Sequence, residues 1–235
     1  MSAAREPPVG QPVMLDELDP RGCIRDTLEQ AVGRTRAQLL LGALAGAAAG
    51  TLVAAPAAGA AALSANDTRI LRFDLQLEYL QASMYTEALR IGRLSPPARD
   101  AARVVGAHEW AHARAIRKIL GHAAVPKGFF DYHGVTENER AFVRTAVAFE
   151  DLTAALLKYQ AVRLDSRDVL AAAVSLHSVE ARHAAWLRRV AGVLPTLTAF
   201  DEPKSQSRMR ALVLSTDFLA PDPRTGTTRA PGFTG

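Results

Sequence analysis

An all-α fold, four long helices packed as a bundle, is what this sequence predicts, and three observations carry the prediction. From Ser64 onward, four segments repeat inward-facing residues in alternating steps of four and three, the spacing that lines one side of a helix. Each segment lies between residues that start and stop helices. Alanine dominates the composition and aromatic residues make up only 6%, which suits close-packed helices.

The first helix is expected from about Asp67 to Ile91, capped by Ser64 or Asn66 and ended by Gly92. Its seam reads Leu71, Leu75, Glu78, Ala82, Tyr85 and Leu89. Ser95-Pro96 opens the second helix as a cap and a first-turn proline, and Gly121 ends it after Leu120. Its seam reads Val105, Glu109, His112, Ile116 and Ile119. Thr136-Glu137-Asn138-Glu139 reads as a capping box for the third, whose seam is Val143, Ala146, Glu150, Thr153 and Leu157. The fourth follows Asp165-Ser166 and ends near Gly192, with seam Val169, Ala173, Leu176, Glu180, His183, Leu187 and Val190. At roughly 25 residues each, the helices would be about 37 Å long.

The flanks differ in character. Residues 1–33 are rich in proline, glycine and charge without sustained period, and are expected to be disordered or loosely held. In 34–65, Arg34-Thr35-Arg36 leads into an uncharged Ala/Gly-rich run with small residues in an A-x-A pattern near Ala60 and Ala62. A cleaved export signal, a retained membrane anchor through residues 37–63 and a buried Ala-rich helix compete for this run; export is the expectation. That places the protein outside the cytoplasm, or on the membrane, of a bacterium. Residues 66–192 hold the bundle. Residues 193–235 are expected to supply one short helix, Ser205 to Phe218, against a flank and then a loose tail.

Where leucine or valine would pack best, the four seams carry Glu78; Glu109 and His112; Glu150; Glu180 and His183. A buried, unpaired carboxylate costs several kcal/mol, so it neutralises or finds a cation. Glu and His three apart on one inward face can bind the same ion. One Glu on each of two helices and Glu-x-x-His on the other two is the ligand set of carboxylate-bridged di-metal bundles. Heights agree as well. In a helical hairpin, two residues lie level when their midpoint falls in the turn. Glu78 and Glu109 centre between Arg93 and Leu94, and Glu150 and Glu180 centre on Asp165. Four carboxylates and two imidazoles offer a mixed oxygen and nitrogen shell that nearly neutralises two divalent ions. The pseudo-symmetry assigns Glu109 and Glu180 as bridges, with Glu78 and His112 completing one ion and Glu150 and His183 the other.

Residues 67–192 resemble the ferritin-like superfamily, most closely its bacterial ferritin-like domain proteins related to desiccation-associated proteins. The matching stretches are LQLEYLQASMY (75–85), AHEWAH (107–112), AFEDL (148–152) and SVEARHAAWLR (178–188), and 200–219 is similar to that family's C-terminal extension. The resemblance implies a long crossover between helices 2 and 3, leaving those two parallel. The connection from Gly121 to Val135 is long enough, since 15 extended residues reach about 50 Å. It also implies a role for Tyr85, seven residues after the first Glu, as redox partner or donor to a ligand; a core tyrosine with a satisfied hydroxyl is the alternative. Gln81 and Ser83 stand where that family's first motif commonly has acids.

Among the remaining histidines, His108 is expected on the surface, His177 in packing or donating to a ligand carboxylate, and His122 and His133 are incidental. Trp110, Trp186 and the phenylalanines are expected to pack in the core or between helices. A net charge of +4 without a basic stripe interleaved with aromatics argues against nucleic-acid binding. The single Cys23 allows no intrachain disulfide. No phosphate-binding glycine motif, nucleophile elbow or Cys-x-x-Cys is present. The leading function is a protein with two iron ions that oxidises iron(II) or reduces O2 or peroxide in oxidative stress. Manganese in the same ligands would give a catalase-like enzyme, and a third reading is a non-enzymatic, metal-stabilised bundle for stress protection or partner binding. Association into a homo-oligomer is open, but no cage-forming surface is visible in the sequence.

Overall fold

A computed structural model of the protein describes residues 63–228 and Phe233. Four long helices form within it: α1 (Ala65–Ile91), α2 (Pro96–Leu120), α3 (Glu139–Ala161) and α4 (Arg167–Val190). Ser64 caps α1, its hydroxyl accepting the Asp67 N–H at 2.9 Å. Gly92, at φ 75°, closes the same helix in a left-handed turn that a side chain would disfavour.

Two caps differ from expectation. Asn138, not Thr136, caps α3 by accepting the Ala141 N–H at 3.0 Å; Thr136 lies in a preceding 3-10 turn. Glu139 therefore does not close a capping box. Instead it receives both the backbone N–H and the hydroxyl of Ser95, the latter at 2.9 Å. Ser95 in turn makes no side-chain cap on its own helix. One carboxylate thus ties the start of α2 to the start of α3.

That tie fixes direction. At the opposite end, the buried carboxylate of Asp67 in α1 accepts the N–H groups of Asp165 and Ser166, each at 2.9 Å, where α4 begins. Hence α1 runs with α4 and α2 with α3, while the members of each hairpin run antiparallel. A long crossover must join α2 to α3, and its path can be followed along α1. Arg72 donates to Ala123 O, Gln76 to Pro126 O, and the Tyr132 hydroxyl to Leu80 O, at 2.7, 2.7 and 2.8 Å. Thr136 then reaches Glu87 at 2.6 Å. The connection climbs α1 step by step.

The C-terminal extension covers a flank through α5 (Gln206–Ser215), which buries Met209 and Val213. The described residues directly after it are held in place. Leu219–Ala220 (β2) pairs antiparallel with Phe129–Phe130 (β1) of the crossover, a two-residue ladder and the only strand pairing among the described residues. Phe218 packs edge-on to Tyr132, and Phe233 edge-on to Phe73 at 5.1 Å between centroids. Not every aromatic is in the core: Phe200 is 88% exposed and Trp186 39%.

Two apolar clusters fill the bundle. On α2, Val105 belongs to one and Ala113 to the other; on α4, Leu187 and Leu176 divide the same way. Glu109, His112, Glu180 and His183 lie between these markers, so the polar layer is closed above and below by hydrocarbon. No helix among the described residues is long and apolar enough to cross a membrane. The export or anchor reading of 34–65 lies, except for its last three residues, outside the described residues.

Candidate metal centre

Each helix delivers its share of one layer. Glu78, Glu109, Glu150 and Glu180 are at most 1% exposed, and His183 is 3% exposed. Nδ1 of His112 stands 2.9 Å from Glu180 Oε1, 3.5 Å from Glu78 Oε2 and 3.8 Å from Glu109 Oε2. Nδ1 of His183 stands 3.1 Å from Glu109 Oε1, 3.2 Å from Glu150 Oε2 and 3.6 Å from Glu180 Oε2. Two overlapping groups result, Glu78–Glu109–His112–Glu180 and Glu109–Glu150–Glu180–His183, each with one ligand atom per residue all within 4.8 Å of one another. Glu109 and Glu180 are common to both.

These atoms crowd together without pairing. Both carboxylate oxygens of Glu109 and of Glu180, Glu78 Oε2 and His112 Nδ1 are buried yet lack an aligned hydrogen bond. So many buried orphans in one layer would each cost on the order of 1–3 kcal/mol, more where charged. A cation satisfies several at once. Four carboxylates balance two divalent ions in charge, and two imidazoles supply borderline nitrogen donors, so the residues present fit a pair of such ions.

Without cations the layer must hold protons. Burial, joined by the charge of Glu109, pushes Glu78 well above its usual range. Burial and the neighbouring Glu180 push Glu150 up to about 8. Burial opposes ionisation of Glu180 too, but contacts from His112 and His183 outweigh it and hold Glu180 low. Burial likewise works against charge on the imidazoles; the carboxylates win, pushing His183 up to about 12 and His112 above its ordinary range. Cation binding must displace these protons, so apparent affinity rises with pH.

Around the layer, the Tyr85 hydroxyl donates to Glu150 Oε1 at 2.5 Å, and the ring stands edge-on to Phe142 at 5.6 Å. Gln81 donates to Thr153 rather than toward the cluster. His108 is exposed, as expected, but its Nδ1 also lies 2.9 Å from Nε2 of His183, a contact that sequence reasoning missed. His177 makes no bond to a ligand carboxylate; its buried Nε2 has no hydrogen-bond partner. Trp110 is half-buried and donates to Thr86.

Gly106, one turn before Glu109, was another silent position. A Cβ there would meet Tyr85 Cβ at 2.7 Å. Both atoms are fixed to backbone, so neither can rotate away. Gly106→Val is expected to force α1 from α2, costing about 1–3 kcal/mol or more and lowering Tm by several degrees in a thermal melt. An unchanged Tm would show that the helices separate freely.

Fold and site together define a four-helix bundle whose centre is a buried carboxylate–imidazole cluster compatible with two metal ions. The ferritin-like domain profile matches residues 66–193, more than half of the sequence, and the chain belongs to that family. A hypothetical protein from Methanococcus jannaschii is similar in structure, at 14% identity and a TM-score of 0.49, over 71% of this chain and 99% of its own. No curated protein sequence matches.

Proposed function

We propose that this protein binds two iron(II) ions and reacts with O2 or peroxide at the pair, in a ferroxidase-like or oxidative-stress role. The observation that carries the reading is the sharing of Glu109 and Glu180 between two otherwise separate donor groups. Glu78 with His112 would complete one position and Glu150 with His183 the other. Bound there, two iron(II) ions would supply two electrons, enough with two protons to convert one peroxide to two waters.

The chain's own residues prepare that chemistry. Hydrocarbon above and below excludes bulk water, which strengthens every charge interaction within the layer. The Tyr85 hydroxyl donates a hydrogen bond to Glu150 Oε1, which leaves Oε2 as the oxygen facing His183. The basic-then-apolar N-terminal sequence supports an extracytoplasmic or membrane-anchored placement.

Anaerobic calorimetric titration with iron(II) tests the reading, with two ions per chain expected. Adding O2 or peroxide should then produce the near-ultraviolet absorption of iron(III). No binding, or a single ion per chain, would overturn it. Two ions bound with no oxidation would favour the metal-stabilised, non-enzymatic bundle. Oxygen release from peroxide by the manganese-loaded protein alone would favour the catalase-like reading.

A further inference from the structure

The two halves of the cluster are not supported alike. On one half, Glu150 accepts from Tyr85 at 2.5 Å and Nε2 of His183 lies 2.9 Å from Nδ1 of His108. On the other, Glu78 Oε2 and His112 Nδ1 are orphans. His112 has no partner of the His108 kind among the described residues.

A neutral imidazole carries its proton on one nitrogen and offers a lone pair at the other. Nδ1 of His183 faces Glu109, Glu150 and Glu180 at 3.1–3.6 Å. To serve as a ligand it must be bare, so the proton must sit on Nε2. There it meets the Nδ1 of His108, and the two rings lie within 21° of parallel. We infer that His108 is a positioning residue: it accepts the Nε2 proton of His183 and so locks that ring in the one tautomer and orientation that presents Nδ1 to a cation.

The inference rests on the two-ion reading above and adds an inequality to it. The Glu150–His183 position is braced on both ligands and fills first. The Glu78–His112 position is unbraced and fills second. Because His108 is an exposed side chain, its removal opens no core cavity and leaves the fold intact.

Cobalt(II) is the probe for the test, since it binds oxygen and nitrogen ligands without oxidation and its visible spectrum reports the coordination number and geometry of its site. Wild type should bind two ions in two steps. His108→Ala should weaken the tighter step about 10–100-fold, the usual loss when the partner of a ligating histidine is removed, and leave the weaker step unchanged. His108→Asn places an amide oxygen near the same proton and should restore most of the affinity and the wild-type spectrum. In His112→Ala, the one remaining step should keep its sensitivity to His108. Two steps in wild type that His108→Ala leaves untouched, or weakens equally, would overturn the inference while leaving the two-ion site standing. Failure of His108→Asn to rescue would overturn the hydrogen-bond role. Failure of wild type to bind two ions would remove the site reading itself, and the inference with it.

Discussion

Glu180→Ala will bind neither metal ion, whereas Glu78→Ala will lose only one. Glu180 belongs to both donor groups, and Glu78 to one. Removing the shared carboxylate takes away the oxygen 2.9 Å from His112 and a further oxygen 3.6 Å from His183. Each position then keeps three donors, and the layer keeps three carboxylates where two divalent ions need four. Metal content per chain after loading and desalting measures this directly. Stability offers a second reading. Each ion present at a hundred times its Kd adds about 2.7 kcal/mol. For a protein of this size two ions should raise Tm by on the order of 10–20 °C. Wild type should show the full rise, Glu78→Ala about half of it, and Glu180→Ala none. A Glu180→Ala protein that keeps one ion at wild-type affinity would refute the bridging assignment.

Asp74→Asn will make the metal-free protein more stable, and the gain will grow with pH. Asp74 sits one turn before Glu78, 6% exposed, with Oδ1 accepting from the Gln160 amide at 2.7 Å. Burial pushes its carboxyl up to about 8, the charge of Glu78 adds to the rise, and the bond from Gln160 only partly opposes it. The sign follows from proton counting. Between the unfolded value of 3.8 and the folded value near 8, the native chain holds a proton that the unfolded chain has lost. Stability therefore falls as pH climbs through that window. Asparagine removes the dependence at this position. Wild type and variant should differ by a constant well below pH 3.8, then diverge by up to about 1.4 kcal/mol per pH unit, levelling off above pH 8. Urea midpoints at pH 4, 6 and 8 provide the comparison, and the slope, not the offset, is the readout. Parallel curves would mean that Asp74 ionises as freely in the native protein as in the unfolded one.

Asp74 also shows where reading the sequence stops short. It stands three after Leu71 and four before Glu78, the same steps as the seam, yet the neighbouring Leu75 was the natural choice for an inward position. Both are buried, because α1 buries more than its seam: Asp74 lies among Ile116, Leu157 and Leu176 of the other three helices and takes the Gln160 amide, while the crossover covers Gln76 and Phe233 covers Phe73. The capping of α3 makes the same point. Thr136 and Glu139 have the right spacing for a box, but Ser95 lies nearby in space and takes the Glu139 carboxylate. The exposure of His108 was legible from its place beside Glu109. Its bond to His183, 75 residues away, was not.

The sequence by itself determined the four helices, their directions within each hairpin, and the matching height of the two acids in each hairpin. It could do so because helical period and turn position are local: a residue's face and its rise are set by its own segment. Only the tertiary structure decided which hairpin faces lie against each other, and with them the pairing of Tyr85 with Glu150, His108 with His183 and Asp67 with the start of α4. Those contacts join segments up to about a hundred residues apart. Their partners are selected by the burial of whole helix faces, a quantity that no short stretch of sequence contains.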